Sequence, residues 1–176
     1  MLKLPVRFAV PLIGLALPVT AAASAVMGPR AGDCARSSGK SAILVKVVGL
    51  KSREGVVRVQ SYGGEPAGYF DKGTYLERVE VAPVARDIEV CVPVPKAGTY
   101  AISVRHTLGG GVSMKDGAGF SGNPNMSLMD ALFRRKPPAS EVQVRVSGIA
   151  RVSVTMNYVQ DGQLKPIALA GVAHAE

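Results

Sequence analysis

The stretch "HTLGGGVSMKDGAGFSGNP", residues 106–124, gathers His106, Ser113, Asp116 and Ser121 within one loop. These are the residue types of a hydrolytic triad, in which an imidazole deprotonates a hydroxyl and a carboxylate orients the imidazole. Their arrangement argues against that chemistry. Neither serine sits in a GxSxG elbow ("GVSMK", "GFSGN"), and a triad is assembled from separate rigid elements. His106 ends a strand on the inward parity of Val104 and reads as a hydrogen-bonded edge residue. "GGGVSMKDG" lacks the GxxxxGK[ST] order of a phosphate-cradling loop, two cysteines without nearby histidines are too few for zinc, and His174 near the chain end carries no weight. No cofactor is implied.

The same stretch reads better as a binding surface. Its six glycines predict an exposed and adaptable backbone. Phe120 offers an apolar anchor, His106 and Asn123 offer hydrogen bonds at the two ends, and Asp116 offers a carboxylate. Just downstream, Arg134, Arg135 and Lys136 supply positive charge. Such a patch suits an anionic or polar partner more than a small substrate that needs a rigid pocket.

The elements that must position these residues are short runs of β-branched side chains separated by turn signals. They are "AILVKVVGL" (42–50), "VVRVQSY" (56–62), "TYLERVEV" (74–81), "DIEVCVPV" (87–94), "TYAISVRH" (99–106), "EVQVRV" (141–146) and "ARVSVTMNYV" (150–159). Seven strands at this spacing predict an all-β, antiparallel two-sheet sandwich of immunoglobulin-like or transthyretin-like type. Alternation sends Tyr100, Ile102 and Val104 inward and Arg105 outward. Likewise Val142, Val144 and Val146 oppose Gln143 and Arg145, and Val152, Val154, Met156 and Tyr158 form one face. One segment breaks the period. "NMSLMDALFRRKPPA" (125–139) places Leu128, Met129, Leu132 and Phe133 on one helical face, with Ser127 and Asp130 as a start signal and Pro137 as a stop. A short helix or turn near 127–136 is therefore expected to cap the sandwich, with Arg134, Arg135 and Lys136 in its last turn.

The chain carries +8 over 176 residues and two cysteines. Its N-terminal segment, 1–25, contains Lys3 and Arg7, the apolar run "FAVPLIGLALPV", and Ala23 and Ala25 in small-x-small order. This is the pattern of a cleaved export signal. Removal of the segment leaves +6, since it holds two positive charges and no negative one. Residues 26–41 then form an N-terminal lead, 42–159 the sandwich and 160–176 a partly disordered tail. Export implies the periplasm or beyond, an oxidising compartment in which Cys34 and Cys91 should pair. Ile88, Val90 and Val92 face the core, so Cys91 points away from it and a bridge would pin the lead across the outside of the sheet. Nucleic acid is a poor partner, because only 5% of the residues are aromatic and none interleave with basic ones.

"CVPVPKAGTYAISVRH", "GFSGNP" and "EVQVRV", in this order and spacing, resemble the exported bacterial proteins of domain-of-unknown-function family 2141. The resemblance spans about 42–159. It implies a small envelope sandwich with no assigned activity. In that family the strand ending at His106 runs into an acidic loop of the form HDxNxNGxxD, whereas here Thr107, Gly109 and Gly111 stand at the polar or acidic positions and Asp116 lies near the last acid. Calcium takes six or more oxygens, several from carboxylates, so a loop with one carboxylate is expected to bind it weakly or not at all. The functional expectation is a non-catalytic binding or structural module for an anionic or polar envelope component, the alternatives being a carbohydrate- or anion-binding module and a hydrolase.

Overall fold

The valine-rich runs form two stacked sheets in the structure, a computed structural model that describes residues 25–109 and 113–167. In chain order the strands are β1 Val26–Met27, β2 Ala42–Val48, β3 Val56–Gly63, β4 Glu77–Val81, β5 Ile88–Pro93, β6 Gly98–Thr107, β7 Gly117–Phe120, β8 Gln143–Val146, β9 Ile149–Thr155, β10 Asn157–Gln160 and β11 Gln163–Pro166. Two short helices, α1 Leu128–Leu132 and α2 Ala139–Val142, lie between β7 and β8. One sheet runs β1-β5-β2-β9; the other runs β11-β10-β7-β6-β3-β4, with β8 also paired to β6. The all-β sandwich is as the alternation predicts. Two pairings, β1 with β5 and β2 with β9, are parallel, and the rest are antiparallel.

Eleven strands are found among the described residues, against the seven that the runs predict. The additional ones lie where apolar alternation is weak. β1 falls in the lead, β7 falls inside the glycine-rich stretch, and the run 150–159 divides at Met156. There the chain leaves the small sheet as β9 and enters the large one as β10, with the Met156 N–H donating to the Val48 carbonyl. β11 then folds back on β10, so the part of the tail that is described is paired strand. Strand pairing thus reaches beyond 42–159 at both ends. Residues 1–24, which hold nearly all of the expected export signal, and 168–176, the end of the tail, lie outside the described residues.

Between the sheets lies one core, in which Ile43, Val45 and Val47 of β2 meet Val57 and Val59 of β3, Ile102 and Val104 of β6, and Val154, Met156 and Tyr158. The inward parity read from β6, β9 and β10 is the one observed. Val142 is the exception: it ends α2 and packs with Tyr62, Tyr69 and Ala101 in a separate cluster on the outer face of the large sheet. On the outer face of the small sheet, Cys34 and Cys91 are bonded, with Cα atoms 5.8 Å apart. Around them Ala42 and Leu44 form a third cluster, with Val26 and Ile149 against it. The lead therefore covers part of this face.

The bridge closes a loop with a sequence separation of 57, for which the chain-entropy relation gives about 4 kcal/mol. Cys34→Ser together with Cys91→Ser should lower unfolding stability by roughly that amount, read as the urea midpoint with an unchanged slope. A double variant as stable as the parent would show that the lead packs without the bond.

Candidate functional site

His106 is wholly buried on β6, not displayed at the loop edge where the sequence places a surface hydrogen-bonding group. Its Nδ1 lies 2.7 Å from the Tyr158 hydroxyl and its Nε2 lies 2.8 Å from the Glu54 carbonyl oxygen. A carbonyl only accepts, so Nε2 carries the proton and Nδ1 accepts from Tyr158. The Tyr158 oxygen in turn accepts from the Lys51 N–H at 3.0 Å. Both ring nitrogens are committed. Burial pushes the Tyr158 hydroxyl above the ordinary tyrosine value of 10.0, opposed by the Lys51 hydrogen bond and by Arg86.

The other polar residues of the stretch are also spent on structure. The buried Ser121 hydroxyl donates to the Val142 carbonyl and accepts from the Ile102 N–H. Asn123 has left-handed backbone, with φ 52°. It accepts from the Thr155 N–H at 2.7 Å and donates to the Ser153 carbonyl at 3.2 Å. These bonds block the free edge of β9, which could otherwise pair with another chain. Asp116 accepts from the Leu108 and Ser113 N–H groups and so closes the loop. Neither serine reaches His106. The described glycines are not simply flexible either. A Cβ on Gly117 would lie 2.4 Å from the Tyr158 ring, and one on Gly119 2.6 Å from the Thr155 carbonyl oxygen. These two are there for close approach.

α1 starts as the sequence predicts, with Ser127 and Asp130 forming a capping box. The Ser127 hydroxyl and backbone hold the Asp130 carboxyl below the usual carboxylate range. Its other features differ from expectation. The helix ends at Leu132, so Arg134, Arg135 and Lys136 lie beyond it, not in its last turn, and none of its residues is buried. It does not cap the core.

Phe120 and the three cations nevertheless meet. They line a groove of about 350 Å³ on the outer face of the large sheet, together with Arg58, Gln60, Tyr62, Phe70, Ser103 and Arg105. Five cations and no carboxylate line it. Across the sheet one register row reads Glu80, Arg58, Arg105, Ala118, Asn157. Arg58 and Arg105 thus stand directly opposite each other, an arrangement that costs stability unless a counter-charge is near. Glu80 accepts from Arg58 at 2.7 Å, whereas Arg105 has only Ala118 on its other side. At the rim Lys136 reaches Asp71 at 2.6 Å and Arg135 reaches Asp130 at 3.5 Å. Arg105 and Arg134 have no ion pair among the described residues. Phe70 stacks edge-on between Tyr62 and Phe120, each centroid pair 4.9 Å apart. Both Phe70 (φ 63°) and Arg134 (φ 52°) hold left-handed backbone. Such side chains seldom adopt it.

The family model described as "Uncharacterized protein conserved in bacteria (DUF2141)" matches residues 45–153. The chain belongs to the DUF2141 family. No curated protein matches it significantly, and no solved structure does. The DUF2141 match takes in β3, β6 and β7 and the arginines of the groove, but neither Cys34 nor Tyr158.

Of the sequence-predicted site residues in this DUF2141 chain, the structure brings Phe120, Arg134, Arg135 and Lys136 together and assigns His106, Asp116 and Asn123 to scaffolding. Arg58, Arg105 and Phe70 were missed. The outward parity of both arginines was available, but only the register reveals that they are neighbours. Wider depressions of about 550 and 440 Å³ mix charges, Arg53 with Glu54 in one, and Lys46 and Arg151 with Asp87 and Glu89 in the other. No group of three or more potential metal ligands occurs among the described residues.

Tyr158→Phe would leave His106 Nδ1 and the Lys51 N–H without their partner in a buried site, at a cost of about 1–3 kcal/mol. Denaturant unfolding reads this, and an unchanged midpoint would contradict the network. Because the folded Tyr158 value is raised above 10.0, its contribution is complete below the unfolded value and is lost as pH rises through the folded one. Its tyrosinate absorbance should therefore appear later than that of exposed tyrosines, and together with unfolding.

Proposed function

We propose that this chain is an exported, non-catalytic binding module of the bacterial envelope, and that the groove on its large sheet holds an anionic group of saccharide size. The single observation that carries this reading is Arg105. It faces Arg58 across the ladder, has no carboxylate at its side, and opens into a groove lined by three more cations. Such a like-charge pair is unfavourable in the empty protein and becomes favourable once an anion lies between the guanidiniums, which bind carboxylates and phosphates through paired donors.

The aromatic end supports a body attached to the anion. Phe70 and Phe120 are half-buried beside Gln60 and Ser103, so an apolar ring face and hydrogen-bonding groups are offered within one span. Export rests on the N-terminal charge and hydropathy pattern and is in keeping with the Cys34–Cys91 bond, which persists in oxidising compartments. The non-catalytic reading rests on His106 being fully engaged and on Ser121 having no contact with it.

Calorimetric titration with an oligogalacturonate, its neutral glucan counterpart and inorganic phosphate tests the reading. The acidic oligosaccharide should bind, the neutral one should not, and phosphate should bind more weakly. Arg105→Gln should weaken the acidic ligand about tenfold, the loss of one charged hydrogen-bond pair. Arg134→Asn should do the same without new backbone strain, since Asn tolerates left-handed φ. Binding that is indifferent to both substitutions, or absent with both anions, would overturn the proposal.

A further inference from the structure

Helix α1 leaves most of its apolar side uncovered. Met129, Leu132 and Phe133 share one face by their i, i+3, i+4 spacing and are 54%, 55% and 64% exposed. Ala131, on another face, lines the groove. Three of the four larger apolar side chains of the segment are therefore left to solvent, while Leu128 is half-buried.

The segment is held in this pose at both ends. Ser127 and Asp130 cap its start. At its close Lys136 binds Asp71 and the Ala67 carbonyl, and Pro137 is buried. Between the apolar face and that anchor sit Arg134 and Arg135, both exposed, with the Arg135 guanidinium 5.7 Å from the Phe133 ring centroid.

From this juxtaposition we infer that the Met129–Phe133 knob is a membrane-surface contact that inserts into the headgroup region of an anionic bilayer. Phe133, Leu132 and Met129 enter the boundary between headgroups and acyl chains, and Arg134 and Arg135 meet lipid phosphates. Charge complementarity favours this occupant, since the knob is flanked by cations on a chain that keeps +6 once residues 1–25 are removed. A second copy of the chain fits poorly. Three side chains bury far less than the roughly 1,000 Å² of a stable interface, and a symmetric contact would bring two cationic clusters together. The inference is independent of the groove reading, although Arg134 and Arg135 serve both.

Co-sedimentation of the purified, processed protein with vesicles tests it. Vesicles of phosphatidylglycerol and phosphatidylcholine in equal parts should carry the protein down, and pure phosphatidylcholine vesicles should not. Leu132→Ser with Phe133→Ser leaves net charge and groove intact, and should reduce the partition coefficient about tenfold or more. Arg105→Gln, which reports on the groove, should leave vesicle binding nearly unchanged. The inference is overturned if the apolar double variant binds as the parent does, or if Arg105→Gln abolishes binding while the double variant retains it. It is also overturned if the parent ignores anionic vesicles and light scattering shows a dimer that the double variant dissolves.

Discussion

A buried chain of hydrogen bonds, from the Lys51 amide to Tyr158, to His106 and on to the Glu54 carbonyl, ties together three parts of the molecule that are distant in sequence. It joins β6 and β10 to the loop between β2 and β3. The aromatic ring at its centre sets further terms. Gly117 is where it is because Tyr158 leaves no room for a side chain there, so β7 can run between β6 and β10 only as a glycine-bearing strand. Without β7 the large sheet would have no surface on which Ala118 and Phe120 could stand beside Arg105.

The location of the groove follows largely by elimination among four sheet faces. The two inner faces are consumed by the core. The outer face of the small sheet is covered in part by the lead, held there by Cys34–Cys91, and its open part mixes Lys46 and Arg151 with Asp87 and Glu89. On the outer face of the large sheet, Tyr62, Tyr69 and Val142 cover one end under α2 and the loop that carries Phe70. The β3–β6–β7 span is open as well, and its outward positions set Arg58, Arg105, Gln60 and Ser103 beside Ala118 and Phe120. An uncovered sheet face is ordinary in antiparallel proteins. One that concentrates a single sign of charge is less so, because alternating signs would stabilise it better.

Much of this architecture could be read in the amino-acid order because it depends on local alternation. The parity of Ile102 and Val104, the outward direction of Cys91 and the capping box at Ser127 are each settled within a few residues. What could not be read depends on long-range register. Tyr158 lies 52 residues from His106, and nothing near either one indicates the other. Glycines at 117 and 119 signal flexibility by composition, yet the tertiary contacts give them the opposite role. The apolar stripe of α1 has the right period for a core-facing helix, but periodicity says only that a face exists and not that anything covers it.

Left-handed backbone occurs at two residues that line the groove. Four described residues other than glycine have positive φ: Phe70, Asn123, Arg134 and Asp161. Asn and Asp adopt that region readily, and Asn123 gains two backbone hydrogen bonds by doing so. Phe70 and Arg134 also gain backbone bonds: the Asp71 N–H donates to the Gly68 carbonyl around Phe70, and the Arg134 and Arg135 N–H groups donate to the Ala131 and Asp130 carbonyls and so close α1, a position that glycine fills more readily than arginine. Phe70 further makes edge contacts with Tyr62 and Phe120, whereas the Arg134 side chain is exposed and has no ion pair among the described residues. A chain selected for stability alone would replace Arg134 with glycine or asparagine at no loss. With Arg105, Arg134 leaves two guanidiniums without an ion pair among the described residues on one face of the large sheet, and the proposed anion site rests on that charge.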